Sequence, residues 1–368
     1  MISSRSSTLV ESALSSADGW PEAVRAAFVR QAESCRDLGS PFMGGLMDML
    51  ARGSLPEGAL KTLIAEWPGD PSTRGDVLPL RLAGALHRLV IDGKVPDLAA
   101  CYPPQATEFD AVCLAPALKV AISAHESFLC DYLKLPPQTN EVRRSSMVMA
   151  GLLEISNAVG KPLSLLEIGS SAGFNLYPDL YRHEMGGLVA GDPASPLVLA
   201  PEWHGSQPRA TTVTIAERRG CDRNPLDPTR AEDVVRLKSY TWPDQLDRMT
   251  RLETALALVG NAALHIAQAD ALDWLSDELA RPAPQRCRVV YHSIVLQYLV
   301  PADRERFAEI MVAAGARANE DSPLAWLSIE ADGRSPGCAV TLTAWPDGTR
   351  RTLARADFHG RWIRWGEA

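Results

Sequence analysis

One stretch constrains the fold more than any other: LSLLEIGSSAGFN, from Leu163 to Asn175. Leu163, Leu165, Leu166 and Ile168 form a short apolar run after Gly160 and Pro162, the pattern of a strand buried on both faces of a parallel sheet. Gly169 ends the run, and Gly173 follows four residues later. Glycines at a strand-to-helix turn allow a tight fold and the close approach of a ligand. The helix expected next would aim its free N–H groups at that ligand.

The flanking chain sorts into two regions. Residues 1–138 predict helices joined by proline- and glycine-containing loops. One starts at Pro21, with Val24, Ala27, Phe28, Gln31 and Cys35 at helical spacing. A second carries Leu78, Leu82, Ala85, Leu86 and Leu89 and stops near Gly93, and a third runs from Phe109 to Leu133 with a bend at Pro116. His87 and His125 read as surface or hydrogen-bonded core histidines. Leu135-Pro136-Pro137 reads as a linker, and Thr139 or Asn140 as the cap of a helix reaching Gly160. RQAESCRDLGSP (Arg30 to Pro41) and TNEVRRS (Thr139 to Ser145) carry more polar residues than their helices need, and read as solvated faces.

Beyond Asn175, a loop-rich passage at about 177–209 reads as an insertion after the first helix. Thr211 to Ile215 predicts a second strand whose continuation reaches Asp222, and Leu264 to Ala267 a third, followed by Asp270 and Ala271. Cys287 to Ser293 predicts a fourth, running into Tyr298, and Leu324 to Ile329 a fifth. Arg230 to Val259 reads as helical with a break at Pro243. Residues 339–344 and 349–354 close as a hairpin through Asp347-Gly348. Strands alternating with helices predict a parallel sheet, and the hairpin an antiparallel edge. Arg350, Arg351, Arg355, Arg361 and Arg364 read as protection of that edge.

The length of 368 residues suits two domains, 1–138 and 139–368. A net charge of −8 argues against nucleic acid as the default partner. Seven cysteines, odd in number and never C-x-x-C, predict neither a disulfide framework nor a zinc site, and suit a reducing cytoplasm. MISSRSSTLVESALSS lacks an apolar signal core, and no apolar run approaches bilayer length, so a cytoplasmic protein without a membrane partner is expected. No metal site is expected, and the oligomeric state is not legible.

Glu167, Gly169, Gly173, Asp222, Asp270 and His292-Ser293 stand at successive predicted strand ends. In that order, residues 139–368 resemble the class I S-adenosylmethionine (SAM)-dependent methyltransferases. The first motif is written E-x-G-x-x-x-G, and Gly220 to Pro225 gives the G-x-D-x-x-P that many members carry after the second strand. More narrowly, the whole chain is similar to an uncharacterised bacterial family known only as a domain of unknown function. That similarity rests on Arg30-Gln31-Ala32, Cys35, Gly39-Ser40-Pro41, Asn140-Glu141, Leu166 to Gly169, Ser171-Ala172-Gly173, Asn175-Leu176, Asp222, Pro225, Asp227 and Trp242-Pro243.

The resemblance implies an α/β protein with a Rossmann-like methyltransferase sheet, mostly parallel with a C-terminal antiparallel hairpin, and an N-terminal helical domain that shapes the acceptor pocket. It implies SAM as cofactor, held by Glu167, Gly169, Ser171, Gly173, Asn175, Asp222 at the ribose, Asp270 at the adenine, and Ala271. The implied reaction is methyl transfer to an O or N atom of a small molecule. Gln31, Ser40, Asn140 and Glu141 would face that acceptor, with His292 as general base and Tyr298 positioning it. Read alone, Asp222 is a turn cap and His292 a histidine closing a buried strand through hydrogen bonds. The alternative is a SAM-binding fold without catalysis, serving as a sensor or interaction module. An NAD-dependent enzyme is disfavoured by Ser171, which holds the place of the second glycine of G-x-G-x-x-G, and by the closing hairpin.

Overall fold

In the computed structural model, which describes residues 19–53, 55–260, 262 and 265–366, the chain divides into two units. The stretch MISSRSSTLVESALSS and the predicted strand start at Leu264 lie outside the described residues. The first unit takes residues up to Pro137 together with Ser239–Leu246, and the second takes Gln138–Lys238 and Asp247 onward.

The first unit contains α1 (Glu22–Asp37), α2 (Pro41–Ala51), α3 (Ala59–Ala65), α4 (Leu78–Ile91), α5 (Pro96–Ala100) and α6 (Ala111–Leu133). Periodicity finds α1, α4 and α6. It misses α2, because PFMGGLMDMLA is apolar on nearly every side and leaves no polar face to set a period. The core gathers Phe28, Leu46, Leu60, Leu82 and Leu129, and takes in Tyr240 and Trp242 from the returning segment. That segment is bound by side chains of the first unit. His87 Nδ1 contacts the Ser239 carbonyl at 3.1 Å, and Gln245 Nε2 donates to the Leu38 carbonyl at 3.0 Å. Burial pushes the His87 imidazole down to about 4, as a core histidine requires.

Three expectations change here. The bend in α6 falls at His125 (φ −127°, ψ 26°), while Pro116 stays helical. Because the helix runs on through Pro116, α6 is by length and composition long and apolar enough to cross a bilayer, with 33% of its most apolar window buried. Cys101 and Cys113 form a disulfide with a Cα–Cα distance of 5.9 Å. Their spacing matches no motif; the loop between α5 and α6 folds back and brings them together.

The second unit opens with a 3-10 turn (Val142–Arg144) and α7 (Ser145–Val159), which ends at Gly160 in the left-handed conformation (φ 59°). Then follow β1 (Leu163–Ile168), β2 (Arg182–Met185), β3 (Leu188–Gly191), β4 (Val198–Leu199), β5 (Glu202–Gly205) and β6 (Ile215–Asp222). After them come α8 (Ala231–Ser239), α9 (Leu246–Val259), β7 (Ile266–Gln268), α10 (Ala271–Ala280), β8 (Cys287–Ser293) and α11 (Pro301–Gly315). The chain closes with β9 (Leu324–Glu330), β10 (Cys338–Trp345), β11 (Thr349–Ala356) and β12 (Trp362–Trp365).

Nine strands form one large, mostly parallel sheet in the order β5-β12-β11-β10-β9-β8-β1-β6-β7. Within β1 the side chains alternate between two layers. Leu163 and Leu165 pack with α7 and α9, and Leu166 and Ile168 with α10 and α11. Every residue of β1 is buried, as the apolar run predicts.

No α-helix follows β1; two 3-10 turns, Phe174–Leu176 and Pro178–Leu180, take its place. The passage expected to be loops builds a small sheet, β3-β2-β4, and sends β5 to the edge of the large one. The second strand, β6, begins at Ile215 and covers the predicted continuation to Asp222, while Thr211 to Thr214 stay outside it. The arginine-rich β11 is not the outermost strand, since β12 pairs with Ala354–Ala356 and β5 pairs beyond it.

Candidate functional site

β1 leads outward through β6 to β7, and the chain then returns to place β8 on the other side of β1. The crevice at the carboxyl ends of β1 and β8 is therefore a topological switch point, where ligands of open parallel sheets gather. The glycine turn sits on this edge. Gly169 has φ +71°, and an added Cβ would stand 2.5 Å from Val295 Cγ2. That close approach is to the protein's own loop after β8. Gly173 has φ +77° and its N–H bonds the Ser170 carbonyl at 2.7 Å. Ser171, also at positive φ (52°), is held by its neighbours: its N–H donates to Asp222 Oδ2 (3.0 Å) and its hydroxyl to Gln138 Oε1 (2.8 Å).

Asp222 is therefore part of the turn. Its Oδ1 accepts from Asn224 N (2.8 Å) and Gln138 Nε2 (3.3 Å), and its Oδ2 from Ser171 N. A carboxylate has about four acceptor positions, so too little capacity remains for both hydroxyls of a ribose. Asp270 caps α10 through Leu272 N (2.9 Å) and pairs with Arg223 Nη2 at 3.1 Å. Burial opposes its charge, but the Leu272 N–H and Arg223 outweigh that and hold the carboxyl below its usual value. Ala271 is the first residue of α10. Asn175 is buried, accepting from Ser145 Oγ (2.7 Å) on its side chain and from Tyr291 OH (3.0 Å) on its carbonyl.

Glu167 differs from all of these. It is 2% exposed, and its Oε2 has no partner. Burial, reinforced by the Asp222 charge, pushes its carboxyl well above the usual value, against the pull of Ser170 and Arg144. Arg144 is its counterpart across the crevice edge. Its Nε donates to the Phe358 carbonyl (2.9 Å) and its Nη1 to the Ser293 carbonyl at the end of β8 (3.2 Å). No carboxylate pairs with it among the described residues, and its Nη2 has no partner. Burial lowers its pKa. Ile294, next to Ser293, has φ +56°, a strained value for a β-branched residue of the kind found at functional edges.

His292 does not stand free as a base. It is fully buried; Trp326 Nε1 donates to its Nε2 (2.9 Å), so the proton sits on Nδ1 and is given to Glu330 Oε1 (2.7 Å). The same Glu330 oxygen takes the N–H groups of Val295 (2.9 Å) and Leu296 (3.3 Å). His292 and Glu330 thus fix the loop after β8, and both imidazole nitrogens are engaged. Tyr298 lies on that loop, 58% exposed.

The four acceptor candidates fall into different units. In the first, Gln31 is buried and donates to Cys35 Sγ (3.4 Å), with its Oε1 unpartnered. Ser40 is buried at the start of α2, its hydroxyl donating to Asp244, which also accepts Phe42 N at 3.0 Å. In the second unit, Asn140 clamps the glycine turn, donating to the Ser170 carbonyl (2.9 Å) and accepting Phe174 N (3.1 Å). Glu141 is buried, accepts Arg143 N (3.2 Å) and faces Arg248 Nε at 2.6 Å. The stretch Arg30 to Pro41 keeps a solvated face, with Arg30, Glu33, Arg36 and Asp37 exposed and Gln31, Cys35 and Ser40 turned inward, whereas Thr139 to Ser145 is mostly buried or half-buried.

Sequence reasoning misses Gln138, Arg144 and Glu330. The density of polar residues in TNEVRRS is the signal that points to Arg144. A separate cavity of about 340 Å³, lined by Met149, Leu153, Leu188 and Val213 with Asp179 at its wall, contains none of the predicted site residues.

The family described as an uncharacterized protein conserved in bacteria, DUF2332, matches residues 25–365. The chain belongs to this family. The match runs from α1 to the end of β12, and so spans both units of this DUF2332 protein. No curated protein matches the chain.

Proposed function

We propose that this protein binds SAM at the carboxyl ends of β1 and β8 and transfers its methyl group to an O or N atom of a small molecule. The observation that carries the reading is Glu167, a buried carboxyl with an unpartnered oxygen at the switch point of a parallel sheet. A buried polar group left unpaired in the free protein demands an explanation, and at the switch point of a parallel sheet a ligand donor supplies one. Glu167 fits the ammonium group of SAM; Asp222 supports a ribose with at most one hydrogen bond. When bound, SAM supplies a methyl group already activated on its sulfonium. The protein's part is alignment: Val295 against Gly169 narrows the turn, and the His292–Glu330 pair holds the loop beside it. With His292 engaged, the acceptor atom is one that offers a lone pair without first losing a proton.

The engaged His292 is also what favours the second reading, a SAM-binding sensor or interaction module without catalysis. Incubation with SAM labelled on the methyl group and a panel of small O and N nucleophiles separates the two. Label transfer is expected; binding without transfer selects the second reading, and absence of binding removes both.

A further inference from the structure

We infer that Arg144 receives a carboxylate carried by the molecule that occupies this crevice, an inference that names the ligand chemistry of the proposed site and rests on that reading. Arg144 precedes α7, and its guanidinium is anchored at two points, by Nε to the Phe358 carbonyl and by Nη1 to the Ser293 carbonyl. Two neutral carbonyls orient the group without compensating its charge. The Nη2 group and one N–H of Nη1 remain unpartnered.

The surrounding arginines differ. Arg248 faces Glu141, Arg361 pairs with Asp357 at 2.8 Å, and Arg143 pairs with Asp247 at 2.9 Å. Arg143 shares Asp247 with Arg251, and Glu141 bonds Arg248 while acting on Arg144 only from a distance, so positive charge exceeds negative here and Arg144 holds a fixed, part-buried place with no carboxylate bonded to it. Removing one partner of a buried ion pair is strongly destabilising, so a guanidinium held this way without a partner is built for an anion brought from outside. A planar guanidinium with two free donors matches a carboxylate bidentately.

Two sources share this chemistry: the carboxylate of the cofactor's amino-acid end, and a carboxylate on the methyl acceptor. Calorimetry on the full chain, comparing SAM with decarboxylated SAM, tests the first. If the cofactor supplies the carboxylate, SAM binds at least about tenfold more tightly than its decarboxylated form. Arg144→Gln removes the difference, and Arg144→Lys restores it in part. If the acceptor supplies it, the two cofactor forms bind alike. The Arg144 Nε–H NMR signal, assigned by its loss in Arg144→Lys, then moves with acetate, propionate and benzoate and stays still with the matching amides.

The wild-type comparisons hold even where Arg144→Gln does not fold. A protein that fails to bind SAM but keeps the carboxylate-specific NMR shift defeats the functional reading and leaves this inference standing. Equal response to ligands with and without a carboxylate in both arms, or discrimination that survives in a folded Arg144→Gln protein, overturns it.

Discussion

The two sides of the glycine turn differ in one respect. On the β6 side, Asp222 is satisfied by Ser171, Asn224 and Gln138, and the turn is locked to its neighbour strand. In β1 itself Glu167 keeps an unpartnered oxygen, and on the β8 side Arg144 keeps unpartnered donors near the strained Ile294. Both sides carry acids at strand ends, and residue type does not tell them apart. Hydrogen-bond bookkeeping does: one acid has been absorbed by the fold, and the other has been left for something else.

The difference can be broken by mutation, beginning with the wall of the open side. Glu330→Ala leaves the buried His292 without its acceptor and two loop N–H groups unpaired, so it should lower stability by about 3–5 kcal/mol. Urea unfolding at neutral pH measures this; a loss below about 1 kcal/mol would show that the loop after β8 is held by something else.

Asp222→Ala comes next. It strips the acceptor from Ser171 N and Asn224 N and should lower stability by about 1–3 kcal/mol, while SAM affinity stays close to wild type. Unchanged stability with affinity about tenfold weaker would return Asp222 to the ribose role and erase the contrast between the two sides.

The smallest effect sharpens the comparison through pH. The folded state holds Glu167 above its unfolded value near 4.5, so the folded protein keeps a proton that the unfolded chain releases. Its contribution to stability is complete below pH 4.5 and is lost as pH rises toward the folded value. Glu167→Gln, which cannot ionise, should remove this falling limb, a slope of at most about 1.4 kcal/mol per pH unit. Parallel stability curves for wild type and variant between pH 5 and 9 would mean that Glu167 is ionised in the folded protein.

The sequence makes the strands of the parallel region legible because buried strands announce themselves: LSLLEI and CRVVYHS are apolar runs bounded by turn residues. The hairpin at Asp347-Gly348 is read directly from turn chemistry. What is not legible depends on long-range pairing. The passage at 177–209 folds into strands only because β2 finds β3 and β4, and because β5 finds β12 at the far end of the chain. Ser239–Leu246 looks like a break between two helices, yet Tyr240 and Trp242 belong to a core formed more than a hundred residues earlier. At the site, the sequence marks Glu167 and the glycines. It cannot show that Val295 fills the space beside Gly169, or that Trp326 and Glu330 occupy both nitrogens of His292.

The claim that the groups left unpaired mark the ligand site is tested most directly by calorimetric titration of SAM into wild type, Asp222→Asn and Glu167→Ala proteins. The account expects wild type and Asp222→Asn to bind alike and Glu167→Ala to bind at least about tenfold more weakly, for the loss of one charge-assisted hydrogen bond. Equal binding to Glu167→Ala, or no heat with the wild-type protein, contradicts it.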